Sequence, residues 1–288
     1  MYAPPAAPGA PPARPVCSPT TPPPVATTTV RLPGPDEPCT FTVAPDRVDL
    51  WLIHGPTGAG ADALALARTE LDDRERARAD AFVRPADGLL YTAAHVALRR
   101  LIACYTTARP EEVRFVREPC PGCGEAHGRP AVAPLPPPLH FSLSHSGSVA
   151  LVGVAGRPIG VDVQKLPRAE TVEICSRALH PDERAELDGT PAGEARRELF
   201  GRIWTRKEAY LKGLGTGLSR SPAEDYLGTD TGRHPSEWTV LGVPCRATHA
   251  ASAAVRGTPP AVAEVRQVPG VWLTGSWPPD AAACSGRS

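Results

Sequence analysis

The sequence predicts an α+β fold made of two similar parts that divide near residue 158. Both parts contain short apolar, β-branched runs typical of strands, and both contain longer segments with helical character. Strands and helices do not follow each other in strict alternation, which argues against a parallel βαβ sheet. At 288 residues, 41% of them hydrophobic, the chain is long enough to bury a core of its own.

The first part, residues 46–158, is predicted to contain two helices among short strands. The first helix is capped by Asp72 or Asp73, whose side chains can accept hydrogen bonds from free N–H groups of the first turn. Strands are expected at 47–53, 113–116 and 139–143. The second helix is predicted from apolar residues at three- and four-residue spacing, namely Leu90, Ala94, Leu98, Leu101, Ile102 and Tyr105.

The second part, residues 159–275, is predicted to begin with a strand at 159–163. Gly156-Arg157-Pro158 is typical of a turn, so this strand is expected to form an antiparallel hairpin with a strand at 149–154. One helix is expected to open at His180-Pro181, with proline in the first turn, and a second to run from 193 to 214. Short strand-like runs then follow between 237 and 273.

Both ends of the chain are expected to lie outside the fold. Thirteen of the 36 prolines fall within the first 38 residues, and no apolar residues recur there with a regular period. Because proline lacks an N–H group and has a fixed φ, residues 1–45 are predicted to form a disordered, Pro-rich tail. Residues 276–288 are predicted to be a loose C-terminus.

Composition excludes several classes of protein. Lys and Arg number 31, as do Asp and Glu, so a chain that coats nucleic acid or a membrane surface is not indicated. No apolar run approaches the roughly 20 residues of a membrane-spanning helix, and no secretory signal is apparent. We therefore expect a cytoplasmic monomer whose eight cysteines are reduced thiols or metal ligands.

Asp162 is the first residue that points to chemistry, because it lies in an otherwise apolar strand, Ile159-Gly160-Val161-Asp162-Val163-Gln164. Burying a carboxylate there is costly unless it is paired or binds a cation. The alternative is an aspartate satisfied by neighbouring backbone N–H groups.

The second constellation is Trp204-Thr205-Arg206-Lys207-Glu208-Ala209-Tyr210-Leu211-Lys212. On a helix, Trp204, Glu208 and Lys212 form one stripe, where Glu208 and Lys212 could simply be a stabilising pair. Together with Asp162, however, Glu208 could hold Mg²⁺, which takes one or two protein carboxylates and completes its shell with phosphate and water.

The third constellation, Ser142-Leu143-Ser144-His145-Ser146-Gly147, crowds hydroxyls and an imidazole at the end of a strand. It could bind phosphate, or it could form a capped turn. The sequence contains neither a P-loop nor a G-x-G-x-x-G motif, and no G-x-S-x-G elbow supports a serine hydrolase.

In this order the motifs resemble the 4′-phosphopantetheinyl transferases of the surfactin-synthetase-activating type. Gly128-Arg129-Pro130 and Ser144-His145-Ser146 match the first two family motifs. Gly160-Val161-Asp162-Val163-Gln164 and Trp204-x-x-Lys207-Glu208-Ala209-x-x-Lys212 match the others. The resemblance covers about residues 46–250.

The resemblance implies a pseudo-dimer of two α+β halves with the active site in the cleft between them. It implies a Mg²⁺-dependent enzyme that transfers the phosphopantetheine arm of coenzyme A to a serine of acyl or peptidyl carrier proteins, releasing 3′,5′-ADP. The carrier proteins would be of the polyketide and nonribosomal peptide type, a role that a Pro-, Ala- and Arg-rich composition also favours. A non-catalytic module of the same fold that binds coenzyme A or carrier proteins is the alternative.

The resemblance also implies roles for individual residues. Asp162 and Glu208 would bind Mg²⁺, with Gln164, which stands where many relatives have glutamate, as a third member. Glu208 would also be the base, and Lys212 would contact the pyrophosphate. Arg129, Ser144 and His145 would contact coenzyme A phosphates. Among the basic residues that precede Phe82, which are Arg74, Arg76 and Arg78, we favour Arg78 as a further phosphate contact.

A separate motif suggests zinc. Cys120, Cys123 and His127 have the C-x₂-C…H spacing of half a zinc-ribbon site. A closed structural site needs a fourth ligand, for which His140 and Cys104 are candidates. An unmetallated loop is the alternative, as is a zinc-ribbon interaction protein in place of an enzyme.

Overall fold

A computed structural model of the chain describes residues 26–27, 41–55, 66–133 and 139–274. Most of the predicted N-terminal tail and the predicted loose C-terminus lie outside the described residues. The strands are β1 (Ala26–Thr27), β2 (Arg47–His54), β3 (Arg114–Arg117), β4 (Pro130–Ala133), β5 (His140–Ser146), β6 (Val149–Ala155), β7 (Ile159–Lys165), β8 (Trp238–Gly242), β9 (His249–Arg256) and β10 (Val262–Val268). The α-helices are α1 (Asp73–Asp80), α2 (Pro85–Thr106), α3 (Ala169–Cys175), α4 (Pro181–Asp188) and α5 (Glu194–Leu214).

The mixed α+β class is confirmed, with the strands distributed over separate sheets. A five-stranded sheet has the order β1-β10-β2-β6-β5, a three-stranded sheet has the order β7-β9-β8, and β3 pairs with β4 alone. The long helix α2 packs on the five-stranded sheet, and the long helix α5 packs on β7, β8 and β9. None of the described helices is long and apolar enough to cross a membrane.

Two predictions about the strands are wrong. β6 pairs with β5 and β2, whereas β7 pairs with β9, so the two strands that flank Gly156-Arg157-Pro158 do not form a hairpin. The predicted division of the chain at residue 158 also fails at its end, because β10 returns to the first sheet and pairs in parallel with β2. The run at 262–268 is apolar enough to suit either sheet, and its sequence does not reveal which one it joins.

The predicted tail is structured where the structure describes it. Ala26–Thr27 pairs in parallel with β10. The Phe41 ring packs against Trp51 and Tyr105, with ring centroids 5.1 and 5.2 Å apart. The backbone N–H of Phe41 donates a hydrogen bond to Cys104 O. The packed part of the chain therefore begins before residue 46.

Serine side chains connect β5 to β7. Ser142 Oγ accepts a hydrogen bond from Val161 N–H at 3.1 Å, and Ser146 Oγ accepts one from Lys165 N–H at 3.1 Å. Each such bond contributes about 0.5–1.5 kcal/mol net. Because these serines alternate along β5, they place its end beside the middle of β7, where Asp162 lies.

Gly160 allows α5 to approach β7 closely. A Cβ atom at Gly160 would lie 2.0 Å from Ala209 O and 2.3 Å from Gly213 N, which are backbone atoms of α5. Because side chains alternate along a strand, Asp162 lies on the same face of β7 as Gly160 and therefore faces this helix. The glycine thus helps to bring α5 to the aspartate.

We expect Gly160→Ala to destabilise the protein by about 1–3 kcal/mol or more, because the backbone of α5 must move away. Gly242→Ala is the matched control, since a Cβ there meets open space. Urea unfolding of both variants measures the difference. Equal stability of the two would show that α5 does not depend on the absence of a side chain at residue 160.

Candidate active site

Asp162 is a buried carboxylate with one paired oxygen and one orphaned oxygen. Its side chain is 1% exposed, and its Oδ1 accepts hydrogen bonds from Ser144 Oγ and Lys212 Nζ, both at 2.7 Å. Among the described residues, no group donates a hydrogen bond to Asp162 Oδ2, although this atom is buried. An unsatisfied carboxylate oxygen is costly to bury, so this atom is suited to bind a cation.

Glu208 lies on α5 one turn before Lys212 and is half-buried. Burial raises the pKa of Glu208, and the negative charge of Asp162 raises it further, while Lys212 opposes the shift. Two carboxylates therefore interact across the interface of β7 and α5. No hydrogen bond from another described residue contributes to this shift, so the oxygens of Glu208 are also available to a ligand.

Gln164 lies two residues beyond Asp162 on β7 and is partly exposed. The alternation of side chains along a strand places both residues on the same face. This position is compatible with the predicted third metal ligand, which stays a prediction.

A cleft of about 1020 Å³ opens beside this pair. Lys212 lines it, whereas Asp162 and Glu208 are not among the lining residues, so Lys212 connects the buried carboxylates to the cleft. The cleft is lined mainly by the first half of the chain and is rich in positive charge. Its basic lining residues are Arg74, Arg78, Arg117, Arg129 and Lys212.

The arginines expected to bind phosphate are arranged differently from one another. Arg78 is exposed and stacks over the Phe82 ring at 5.3 Å, which leaves its guanidinium at the cleft. Arg129 pairs with Glu118 at 2.7 Å and donates to Gly213 O at 3.1 Å, so it also ties its loop to the end of α5.

Ser144 and His145 take opposite directions at the end of β5. Ser144 is buried and donates to Asp162, so its hydroxyl supports the carboxylate. His145 lines the cleft, where burial lowers its pKa and the positive charges of His95 and Lys212 lower it further. A neutral imidazole can still donate one N–H to an anion.

One cluster in the cleft is absent from the sequence-based predictions. Glu75 accepts a hydrogen bond from Arg99 Nε at 2.7 Å, and its Oε1 lies 2.8 Å from His95 Nδ1. Burial opposes ionisation of Glu75, but the hydrogen bonds from His95 and Asp72 N–H and the charge of Arg99 lower its pKa overall. Tyr91 stacks on His95 with centroids 4.0 Å apart. In the sequence, the four-residue spacing of Tyr91 and His95 was the signal that could have revealed that these two side chains lie together.

Lys207, although part of the Trp204–Lys212 motif, is not at the site. It is 2% exposed and pairs with Glu183 of α4 at 2.8 Å. It also donates to Pro222 O and Asp225 O. All three hydrogens of the ammonium are thereby engaged, so Lys207 anchors α5 to its surroundings.

The predicted zinc ligands lie together in the loop between β3 and β4. The donor atoms of Cys120, Cys123 and His127 lie within 4.8 Å of one another, and they form a group of three among the described residues. Hydrogen bonds from the backbone N–H groups of Cys123 and Gly122 lower the pKa of the Cys120 thiol.

The candidates for a fourth zinc ligand, His140 and Cys104, do not join the group. Cys104 is disulfide-bonded, which also departs from the expectation that all eight cysteines are reduced or metal-bound.

Comparison with known proteins places the chain among one group of relatives. The family model of the 4′-phosphopantetheinyl transferase superfamily matches residues 158–253, which include Asp162, Glu208 and Lys212. The chain is 34% identical over 151 residues to a putative 4′-phosphopantetheinyl transferase of Synechocystis sp., covering 52% of this chain and 58% of the relative. It is 32% identical over 188 residues to the 4′-phosphopantetheinyl transferase HetI of Nostoc sp., covering 64% of this chain and 75% of the relative. It is 32% identical over 95 residues to the 4′-phosphopantetheinyl transferase Sfp of Bacillus subtilis, covering 33% of this chain and 41% of the relative.

Proposed function

Because the chain belongs to the 4′-phosphopantetheinyl transferase family and is similar to Sfp, we propose that it transfers the 4′-phosphopantetheine arm of coenzyme A to a serine of a carrier protein. The carrier proteins are acyl and peptidyl carriers of polyketide and nonribosomal peptide synthases. The observation that carries the proposal is Asp162, which is buried, paired with Lys212 on one oxygen and open on the other.

The carboxylate oxygens of Asp162 and Glu208 fit Mg²⁺, which the proposed reaction would use. Asp162 Oδ2 is orphaned and buried, and the neighbouring Glu208 carboxylate raises the local negative charge. Hard oxygen ligands of this kind suit Mg²⁺, which retains water and phosphate in the rest of its shell. Asp162 and Glu208 would hold the metal, with Gln164 as a third member. When bound, Mg²⁺ would neutralise charge on the pyrophosphate oxygens.

The side chains of the chain itself then perform the remaining tasks. Glu208 would accept the hydroxyl proton of the carrier serine. The serine Oγ would then form a bond to the phosphorus of the phosphopantetheinyl group, while the bond from that phosphorus to the bridging oxygen breaks and 3′,5′-ADP leaves. Lys212 would stabilise the charge that develops on the pyrophosphate. Arg78, Arg129 and His145, which line the cleft, would hold the phosphates of coenzyme A, and Ser144 would keep Asp162 in place.

The experiment is incubation of the full chain with coenzyme A, Mg²⁺ and either a peptidyl or an acyl carrier protein. Intact-mass spectrometry should show the carrier heavier by one phosphopantetheinyl group, with an equal amount of 3′,5′-ADP released. Binding of coenzyme A or carrier without 3′,5′-ADP would contradict the transferase and favour a non-catalytic binding module. A carrier whose acceptor serine is replaced by alanine is the control.

Gln164→Glu provides a separate test of the third metal ligand. If the side chain faces the metal, a carboxylate binds Mg²⁺ more strongly than an amide, so half-maximal activity should occur at a lower Mg²⁺ concentration. Titration of transfer against Mg²⁺ measures this shift. An unchanged titration would place residue 164 outside the metal's coordination.

A further inference from the structure

The Cys-rich loop holds three metal-binding side chains in a nearly ligating arrangement. Cys123 Sγ lies 3.0 Å from His127 Nε2, and the donor atoms of Cys120, Cys123 and His127 all lie within 4.8 Å of one another. Tetrahedral zinc with Zn–S of about 2.3 Å and Zn–N of about 2.0–2.1 Å separates its donors by roughly 3.5–3.8 Å. Small side-chain adjustments would therefore complete the geometry.

Backbone hydrogen bonds hold this loop in the conformation that brings the three side chains together. Cys120 N–H donates to Glu125 O at 2.7 Å, and Gly124 N–H donates to Cys120 O at 2.8 Å. Gly124 has a φ of 81°, a conformation that an L-residue rarely adopts. Hydrogen bonds between Glu118 and the Gly128–Arg129 segment close the base of the loop. These bonds shape the turn and its base, and a bound metal would add a cross-link between the three side chains.

The loop also forms one wall of the cleft. Ala126, His127, Gly128 and Arg129 line it, facing Gly215 and Gly217 from the segment that follows α5. On its other side, Gly122 lies against Ser219, whose Oγ would be 3.6 Å from a Cβ at Gly122. Arg129, two residues after His127, donates to Gly213 O. The loop therefore bridges the strands β3 and β4 and the end of the helix that carries Lys212.

We propose that Cys120, Cys123 and His127 bind Zn²⁺, and that the metal fixes the wall of the cleft on which Arg129 lies. Two thiolates and a neutral imidazole balance the charge of the ion. The fourth position is assigned to a water molecule, because no fourth Cys, His, Asp or Glu donor joins the group among the described residues. The metal's role is positional, since the carboxylate pair belongs to other elements.

Metal content tests the site without reference to activity. The full chain, purified from cells supplied with zinc and passed through gel filtration, should contain about one zinc ion per molecule by elemental analysis. Cys123→Ser and His127→Asn alter exposed side chains and should each lose most of the zinc, with circular dichroism confirming the fold. Cys175→Ser, a free cysteine on α3, is the matched control and should keep it.

Contrary results are equally specific. Zinc far below one ion per molecule, or zinc retained by both variants, would overturn the proposal. Zinc-free protein with a Cys120–Cys123 disulfide would indicate a redox pair. Zinc-free protein in which iodoacetamide rapidly alkylates Cys123 would indicate a free thiol activated by His127.

The effect on the cleft rests on the proposed function. Loss of zinc in Cys123→Ser should raise KM for coenzyme A about tenfold while kcat changes less, because the phosphate-binding wall loosens but Asp162, Glu208 and Lys212 stay in place. A tenfold fall in kcat with an unchanged KM for coenzyme A would contradict the positional role. Stoichiometric zinc in a chain without transferase activity would overturn the proposed function and leave the zinc site standing, whereas active zinc-free protein would do the reverse.

Discussion

Asp162→Asn and Glu208→Gln should each lower kcat/KM for carrier modification by about 100-fold or more, while the protein stays folded. Each substitution removes one negative charge from the pair and keeps the size of the side chain. Asparagine at 162 can still accept the hydrogen bond from Ser144, so the contact between β5 and β7 is retained. Replacement by alanine would be less informative, because Asp162 does have partners in Ser144 and Lys212.

A control variant distinguishes the loss of a site carboxylate from the loss of any negative charge on α5. Glu198→Gln removes a carboxylate from the same helix, where Glu198 makes a long, largely exposed pair with Arg202 at 3.7 Å. This control should keep its activity, because exposed pairs contribute little. Isothermal titration of Mg²⁺ in the presence of coenzyme A should show weaker Mg²⁺ binding for the two site variants and unchanged Mg²⁺ binding for Glu198→Gln. Transfer by Asp162→Asn at the rate of the unchanged chain would refute the metal assignment.

Local patterns in the sequence predicted the two long helices well. Helical spacing from Leu90 to Tyr105 corresponds to α2, and the predicted helix at 193–214 corresponds to α5. The desolvation argument for Asp162 correctly required partners, and the structure provides Ser144 and Lys212. These inferences succeed because the periodicity of a helix or strand decides which side chains share a face.

Long-range pairing could not be predicted in the same way. The residues of β10 pair with β2, more than 200 positions earlier, yet a short apolar strand carries no signal for its partner. Phe41 shows the same limit, because a single aromatic in a Pro-rich segment does not announce its contact with Trp51. The Glu75–His95 pair joins two helices and likewise depends on how they pack. What the sequence lacked in each case was the geometry between elements.

The two lysines of the Trp204–Lys212 motif should therefore give opposite phenotypes when their charge is removed. Lys207→Met leaves Glu183, which is fully buried, without its cation. Breaking a buried pair in this way costs about 3–5 kcal/mol, so the free energy of unfolding should fall by that amount. Lys212→Met removes a partly exposed charge that faces the cleft, so with Mg²⁺ present stability should fall less while kcat falls about 100-fold or more.

A double variant separates the buried charge from the packing of Lys207. Glu183 also accepts hydrogen bonds from Leu227 N–H at 2.6 Å and His180 N–H at 3.0 Å, which a glutamine oxygen can accept in part. Glu183→Gln combined with Lys207→Met removes both charges and should recover part of the lost stability, since no uncompensated charge stays buried. Urea unfolding and carrier-protein kinetics on all the variants measure both effects. If Lys207→Met unfolds at the same urea concentration as the unchanged chain but loses transfer, Lys207 acts on the reaction itself and its assignment as an anchor of α5 is wrong.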